Sequence, residues 1–544
     1  MKVAEAVAET LTELGLETVF GLVGSGNFHL TNALVHRGAR FVATRHEAGA
    51  ITMADAYTRV SGRLSACSVH QGPGVTNTVT GLTEAAKSRT PLLLLAADTA
   101  AGSLRSNFRI DQARLAQAVG AAHETLAAPE SAVADIARAH RRALIERRPV
   151  LVSMPIDVQA APAPDVAMQP PEPLPRAPAP PPEAVAAAAR LLASSERPLI
   201  VAGRGAVLAK ARAPLEELAD ACGALLATSA VANGLFAGNP WYLGISGGFA
   251  TPVAAELIRS ADLVLAFGAT LNMWTTRHGK LLGSAARVVQ VDVEEDALGA
   301  HTRLDVGVIG DAAETARALI RAIAGQGRKS WRSDGLAESI RDGRWARQPF
   351  EDLSDGTRID PRTLSIELER LLPVERVLAI DSGHFMGWPA MYMQVPDERG
   401  FVFIQAYQSI GLGLASAVGA AVAQPERLAV ALLGDGGALM AASELETIAR
   451  LGIAMLIVVY NDAAYGAEVH HFGPDGDPTD IVKFPDTDLA ALGRGAGLEG
   501  LTVRRREDLA AIGEWLGRRD RPLLVDAKII PTLVAEWLSE AFGH

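Results

Sequence analysis

Leu428–Gly466 reads LAVALLGDGGALMAASELETIARLGIAMLIVVYNDAAYG, and this stretch decides the fold. Aliphatic residues fill Leu428–Leu433, which predicts a short buried strand, and the run breaks at Gly434-Asp435-Gly436-Gly437. Leu439, Leu445, Ile448 and Leu451 then recur near the helical period. Met455–Tyr460 predicts a second buried strand, closed by Asn461-Asp462. In a right-handed parallel βαβ unit both strands finish at the same sheet edge. Asp435 and Asn461 are therefore expected side by side at the carboxyl edge, where open α/β sheets take their ligands. The glycines let backbone approach phosphate oxygens, while a carboxylate, an amide oxygen and a nearby carbonyl suit Mg²⁺. The stretch is built to hold a diphosphate through a magnesium ion.

The same alternation recurs on both sides of it. Thr18–Val23, Phe41–Thr44, Ser65–His70, Leu92–Ala96 and Pro149–Pro155 predict strands of a first block, residues 1–160. Residues 161–183 are too rich in proline for a helix or central strand and are expected to be an extended linker. A second block, 184–325, repeats the strand theme at Pro198–Ala202, Asp262–Gly268 and Val288–Val293. Polar residues 326–360 predict a second linker, and 361–544 form the third block, with another strand at Val377–Asp381. The expected class is α/β with three doubly wound parallel-sheet domains. Blocks one and three have similar length, which fits a duplication.

Composition narrows the function classes. With 544 residues, 49% hydrophobic and 21% charged, the chain is a multidomain globular protein. A net charge of −11 opposes general nucleic-acid binding. Cys67 and Cys222 lie far apart and offer neither a disulfide framework nor a structural zinc site, which points to a reducing cytoplasm. The first residues, MKVAEAVAETLTELGLE, form an acidic amphipathic pattern instead of a signal peptide. The longest apolar run, around Ile410–Ala423, is shorter than a membrane span.

Gly-Asp-Gly, helix, strand and Asn-Asp closely resembles the signature of thiamine-diphosphate-dependent enzymes. The resemblance implies that Asp435, Asn461 and the carbonyl of Ala463 hold Mg²⁺. Gly434, Gly436, Gly437, Tyr465 and Gly466 would border the cofactor. It extends to Arg45-His46-Glu47, where Glu47 would hydrogen-bond the aminopyrimidine nitrogen and favour the imino tautomer that takes the thiazolium C2 proton. Gln71-Gly72-Pro73-Gly74-Val75-Thr76-Asn77 resembles the family's GPGxTN turn against the pyrimidine, which places Gly72, Pro73 and Asn77 there. Gln112 falls where acetolactate synthase-like members have a glutamine reaching the active centre. Gly383, His384 and Phe385 match a second diphosphate loop, and Ile410 the bulky residue that bends the cofactor. The pyrimidine-binding, middle and diphosphate-binding blocks thus cover nearly the whole chain. The resemblance further implies a homodimer or homotetramer whose cofactors lie between subunits.

Specificity rests on fewer residues. His70 and Ser25 resemble the histidine and serine of benzoylformate decarboxylase, and Glu468 lies near a glutamate position of pyruvate decarboxylase. His470 and His471 follow, with His471 standing where acetolactate synthases have tryptophan. A histidine and a glutamate near C2 suit proton delivery after CO₂ leaves, with aldehyde release. The expected activity is non-oxidative decarboxylation or carboligation of a 2-oxo acid or aldehyde. The alternatives are an acetolactate synthase-like transferase, with FAD left open in Gly268–Gly279, and a non-catalytic subunit of the same fold.

Overall fold

Parallel pairing joins strands into three six-stranded sheets, one for each block, in a computed structural model that describes residues 1–164, 173–325 and 330–541. The first sheet contains β1 (Thr18–Gly21), β2 (Arg40–Ala43), β3 (Ser65–Val69), β4 (Leu92–Asp98), β5 (Ala122–Thr125) and β6 (Val150–Pro155), ordered β2-β1-β3-β4-β6-β5. The middle sheet contains β7 (Pro198–Ala202), β8 (Leu225–Thr228), β9 (Tyr242–Ile245), β10 (Leu263–Phe267), β11 (Arg287–Asp292) and β12 (Val306–Ile309). Its order is β12-β11-β10-β7-β8-β9. The third contains β13 (Arg376–Ile380), β14 (Phe401–Phe403), β15 (Leu428–Gly434), β16 (Leu456–Asn461), β17 (Glu499–Val503) and β18 (Leu523–Lys528), ordered β14-β13-β15-β16-β18-β17. Numbered from its own first strand, the third sheet repeats the order of the first.

Strands rich in aliphatic residues are where the sequence places them, and the strands it does not reveal are short or carry charge. β14 has only three residues, and β18 ends in Asp526-Ala527-Lys528. Alternation would send those charges to water, yet both are buried and pair at 2.9 Å. The expected single helix after Asp435 is instead two, Asp435–Met440 and Glu444–Leu451, with the break turning Glu444 toward the first block. Of the expected linkers, 165–172 and 326–329 lie outside the described residues. The remainder of 326–360 includes a helix, Asp334–Asp342, followed by Trp345. Trp345 sits in the core of the third sheet and donates to the Phe249 carbonyl at 2.8 Å, tying the middle and third blocks together.

Blocks one and three share a continuous apolar core. It is built where helix Glu47–Ser61 crosses helix Gly413–Ala423. The crossing is close because Gly419 faces the Met53 backbone: a Cβ there would lie 2.2 Å from the Met53 carbonyl oxygen. Gly419→Ala is therefore expected to destabilise the fold by about 1–3 kcal/mol, as overpacking does. A urea midpoint equal to that of the parent would contradict this. No helix among the described residues is long and apolar enough to cross a membrane.

Candidate active site

The carboxyl edge of the third sheet opens on a cavity of about 980 Å³, walled also by residues of the middle block and part of the first. Asp435 begins the short helix after β15, and Asp462 follows β16 directly. Their carboxyl groups share a hydrogen bond, and burial, reinforced at Asp462 by the charge of Asp435, raises both above the ordinary carboxylate range. Two crowded carboxylates without a cationic partner form a site that a divalent ion would stabilise. No cluster of three or more His, Cys, Asp or Glu residues that could hold a metal occurs among the described residues. The remaining ligands would therefore be backbone carbonyl, phosphate or water oxygens.

Here the cavity is lined by residues one step along the chain from the expected metal ligands. Asn461, the last residue of β16, is only 1% exposed and donates its amide to Asp526 at 2.8 Å. Its amide oxygen accepts from the Ala463 N–H at 3.1 Å, and the Ala463 carbonyl accepts from the Phe484 N–H at 2.8 Å. Each oxygen is engaged inside the fold, and neither Asn461 nor Ala463 lines the cavity. Asp462 and Ala464 line the cavity in their place. Successive strand residues point to opposite faces, so the choice within Asn-Asp depends on where β16 stops.

The walls above the carboxylates offer donors for an anion. Gly383 has φ of +129°, a conformation open to glycine, and leads into His384–Met386. His384 Nε2 accepts from the Ala535 N–H at 2.8 Å, so Nδ1 carries the proton. That N–H is buried without a partner, 3.5 Å from where a Cβ on Gly466 would stand. Burial, with His470 adding to it, lowers the imidazole pKa to about 3, leaving a neutral donor. The Trp537 indole donates to the His384 carbonyl at 3.2 Å, so the last helix helps hold this loop. Phe385 stacks on Tyr460, and the Tyr465 ring lies so close to Gly436 that a Cβ there would be 2.5 Å away. An orphaned donor, a glycine turn and a carboxylate pair on one cavity fit a metal-bound diphosphate. Gly434, Gly437, Gly466, Ile410 and Glu468 also line it, with Ile410 half-buried and Glu468 exposed.

His470, one turn beyond Gly466, packs its ring 4.4 Å from His384. His471 instead sits edge-on to Phe472, with ring centres 4.5 Å apart, and does not line the cavity, because adjacent helical residues face different ways.

A second group of residues lies at the carboxyl edge of the first sheet. Glu47 opens helix Glu47–Ser61, is 8% exposed, and accepts from Asn77 Nδ2 at 3.0 Å. Gly72 has φ of +65° and Pro73 starts the short helix that brings Asn77 against Glu47. The Glu47 helix is aimed by a residue not singled out in the sequence. Glu444, buried in the third block, accepts the backbone N–H of His46 at 2.9 Å and of Arg45 at 3.2 Å. A Cβ on Gly49 would lie 2.5 Å from that carboxylate, so the glycine of His46-Glu47-Ala48-Gly49 permits the approach. His70 donates from Nδ1 to its neighbour's carbonyl, Gln71 O, at 2.8 Å, which leaves Nε2 to accept from the Ser25 hydroxyl at 3.3 Å. Phe108 sits edge-on to His70, and Gly74 lies between His70 and Glu47. Gln112 does not join them: its amide nitrogen donates to the Ala97 carbonyl and its oxygen accepts from Ser153, both at 2.8 Å. As the first residue of its helix it turns back onto the sheet. The buried, unpartnered Gln71 Oε1 is the amide oxygen nearer this group.

Three family models match the chain. They describe thiamine pyrophosphate enzymes: an N-terminal binding domain over residues 1–122, a central domain over 185–319 and a C-terminal binding domain over 381–527. Among curated relatives, a sulfoacetaldehyde acetyltransferase of Castellaniella defragrans is 29% identical over 94% of this chain and 89% of its own. A probable 2-ketoarginine decarboxylase of Pseudomonas aeruginosa is 31% identical over 93% and 89%. A probable acetolactate synthase large subunit of Methanocaldococcus jannaschii is 27% identical over 86% and 81%. The solved thiamine diphosphate-dependent 4-hydroxybenzoylformate decarboxylase of Rhodococcus jostii has the same fold, with a TM-score of 0.80 at 24% identity over 97% of this chain and 99% of that one.

Proposed function

The chain belongs to the thiamine pyrophosphate enzymes, and from that premise we propose a non-oxidative 2-oxo acid decarboxylase or carboligase that uses thiamine diphosphate and Mg²⁺. The observation that carries the reading is His70: its Nδ1 is tied to a carbonyl and its Nε2 faces Ser25, beside Glu47. When bound, the cofactor supplies a thiazolium carbon that adds to a carbonyl and accepts the electron pair released with CO₂. Asp435, Asp462 and Ala464 would hold the metal, and His384 Nδ1 and the glycine turn the diphosphate. Glu47 would hold the proton shared with the aminopyrimidine nitrogen. His70 Nε2, which accepts from the Ser25 hydroxyl, would exchange protons with the substrate's oxygen. Glu468, at the rim of the cavity, would deliver a proton from water.

The reading includes a homodimer or a tetramer of such dimers. Glu47, His70 and Ser25 do not line the cavity on which Asp435 and Asp462 open within one chain. A second copy bringing its first block to that cavity would complete the site.

Acyl transfer to a second acceptor is the competing reading, favoured by the acetyltransferase and synthase names among the relatives. It extends to flavin against the middle-block wall, where Thr270, Asn272 and Trp274 line the cavity. Incubation with pyruvate and with benzoylformate separates the two. Aldehyde and CO₂ in equal amounts are expected, whereas acetolactate as the main product, or flavin absorbance in the purified protein, would favour transfer.

A further inference from the structure

Asp381 ends the run from β13 and is completely buried, with no cationic side chain among the described residues bonded to it. Its carboxylate is held by backbone alone. The Gly411 N–H reaches it at 2.9 Å, and those of Leu412 and Gly413 at 3.2 Å each. Two glycines permit this packing. A Cβ on Gly413 would stand 2.6 Å from Asp381 Cβ, and one on Gly437 2.2 Å from Asp381 Oδ2. One carboxylate thus touches the loop that begins at Ser382, the loop that carries Ile410, and the turn that contains Asp435. These are separate in sequence and all border the same cavity. Burial raises the Asp381 pKa to about 6 against the pull of the amide donors. A group that costs so much to ionise is an inefficient way merely to start a helix, since an exposed serine or threonine would cap it.

We propose that Asp381 is a positioning residue that locks the Ile410 loop to the Gly434–Gly437 turn, so that the side chain shaping the cofactor and the turn receiving its diphosphate keep one fixed spacing. The inference rests on the cofactor reading above. It concerns how the site is held in shape, with Asp381 itself touching neither metal nor cofactor.

Asp381→Asn tests it, since the amide keeps the volume but presents N–H groups to N–H groups. In the cofactor-free protein, backbone hydrogen exchange at Gly411–Gly413 should accelerate about 10–100-fold, while strand Leu428–Gly434 stays protected. Calorimetric affinity for thiamine diphosphate with Mg²⁺ should fall less than about tenfold, because the diphosphate contacts remain. At saturating cofactor, exchange of the bound cofactor's C2 proton should slow about 100-fold, as a displacement near 1 Å costs that much. Gly413→Ala, whose added Cβ would stand 2.6 Å from Asp381 Cβ without changing charge, should reproduce this split and serves if Asp381→Asn fails to fold. Unchanged backbone exchange in a folded variant, or C2 exchange equal to the parent's at saturation, would overturn the proposal. A parent protein that binds no thiamine diphosphate would instead overturn the cofactor reading beneath it.

Discussion

Glu47→Gln is expected to reduce turnover by about 10²–10⁴-fold, the range contributed by a positioned general acid or base. Affinity for thiamine diphosphate should stay within about tenfold of the parent, because on the proposed reading the diphosphate and its metal are held by the third block, away from this residue. Glutamine fits the space and can still accept from Asn77 Nδ2, so the hydrogen bond at 3.0 Å survives while the proton-sharing carboxylate is lost. The Glu444 contacts with the His46 and Arg45 amides are untouched, and the helix keeps its direction. Mixing gives a sharper result. Glu47→Gln subunits combined with Asp462→Ala subunits should regain activity, because a site shared between chains leaves one intact site in each mixed dimer. If the two residues served the same chain's site, every mixed dimer would carry two damaged sites and activity would stay at background. Unimpaired turnover in Glu47→Gln would remove the proposed proton route altogether.

How far the sequence could be read depended on whether the information was periodic or directional. Buried aliphatic runs such as Leu428–Leu433 announce strands of a parallel sheet because both faces need apolar cover. Three blocks and their cavity edge follow from that, together with the Gly-Asp-Gly turn. Strand β18 escapes the same reading because Asp526 and Lys528 satisfy each other inside the sheet, a pairing no local pattern encodes. The site residues that face away from where the sequence placed them share one cause. Gln112, His471, Asn461 and Ala463 each lie within a residue or two of a turn or helix start, where a single step of register rotates the side chain to another face. Residue type and approximate position were legible there, but direction was not. Glu444 and Asp381 were hidden for a different reason. Their partners are backbone amides of remote segments, and the glycines that admit them, Gly49 and Gly413, are unremarkable in sequence.

That register difference at the end of β16 predicts the second large effect. Asp462→Ala is expected to weaken Mg²⁺-dependent uptake of thiamine diphosphate by more than about 100-fold, since outer partners of metal ligands alone are worth about 10–100-fold. In the metal-free protein this change removes both the like charge beside Asp435 and the hydrogen bond the two carboxyl groups share, so stability should stay near the parent's. Asn461→Ala should behave in the opposite way. It strips a buried donor from Asp526 and the acceptor from the Ala463 N–H, at a cost of about 1–3 kcal/mol in stability for each unsatisfied group. Cofactor affinity in the folded fraction should remain near that of the parent, since Asp435, Asp462 and Ala464 keep their places on the cavity. Calorimetric titration at fixed Mg²⁺, paired with thermal melts of the metal-free proteins, reads both quantities. Loss of metal-dependent binding in Asn461→Ala, with Asp462→Ala binding normally, would return the ligand role to the strand residue and require β16 to end one position earlier.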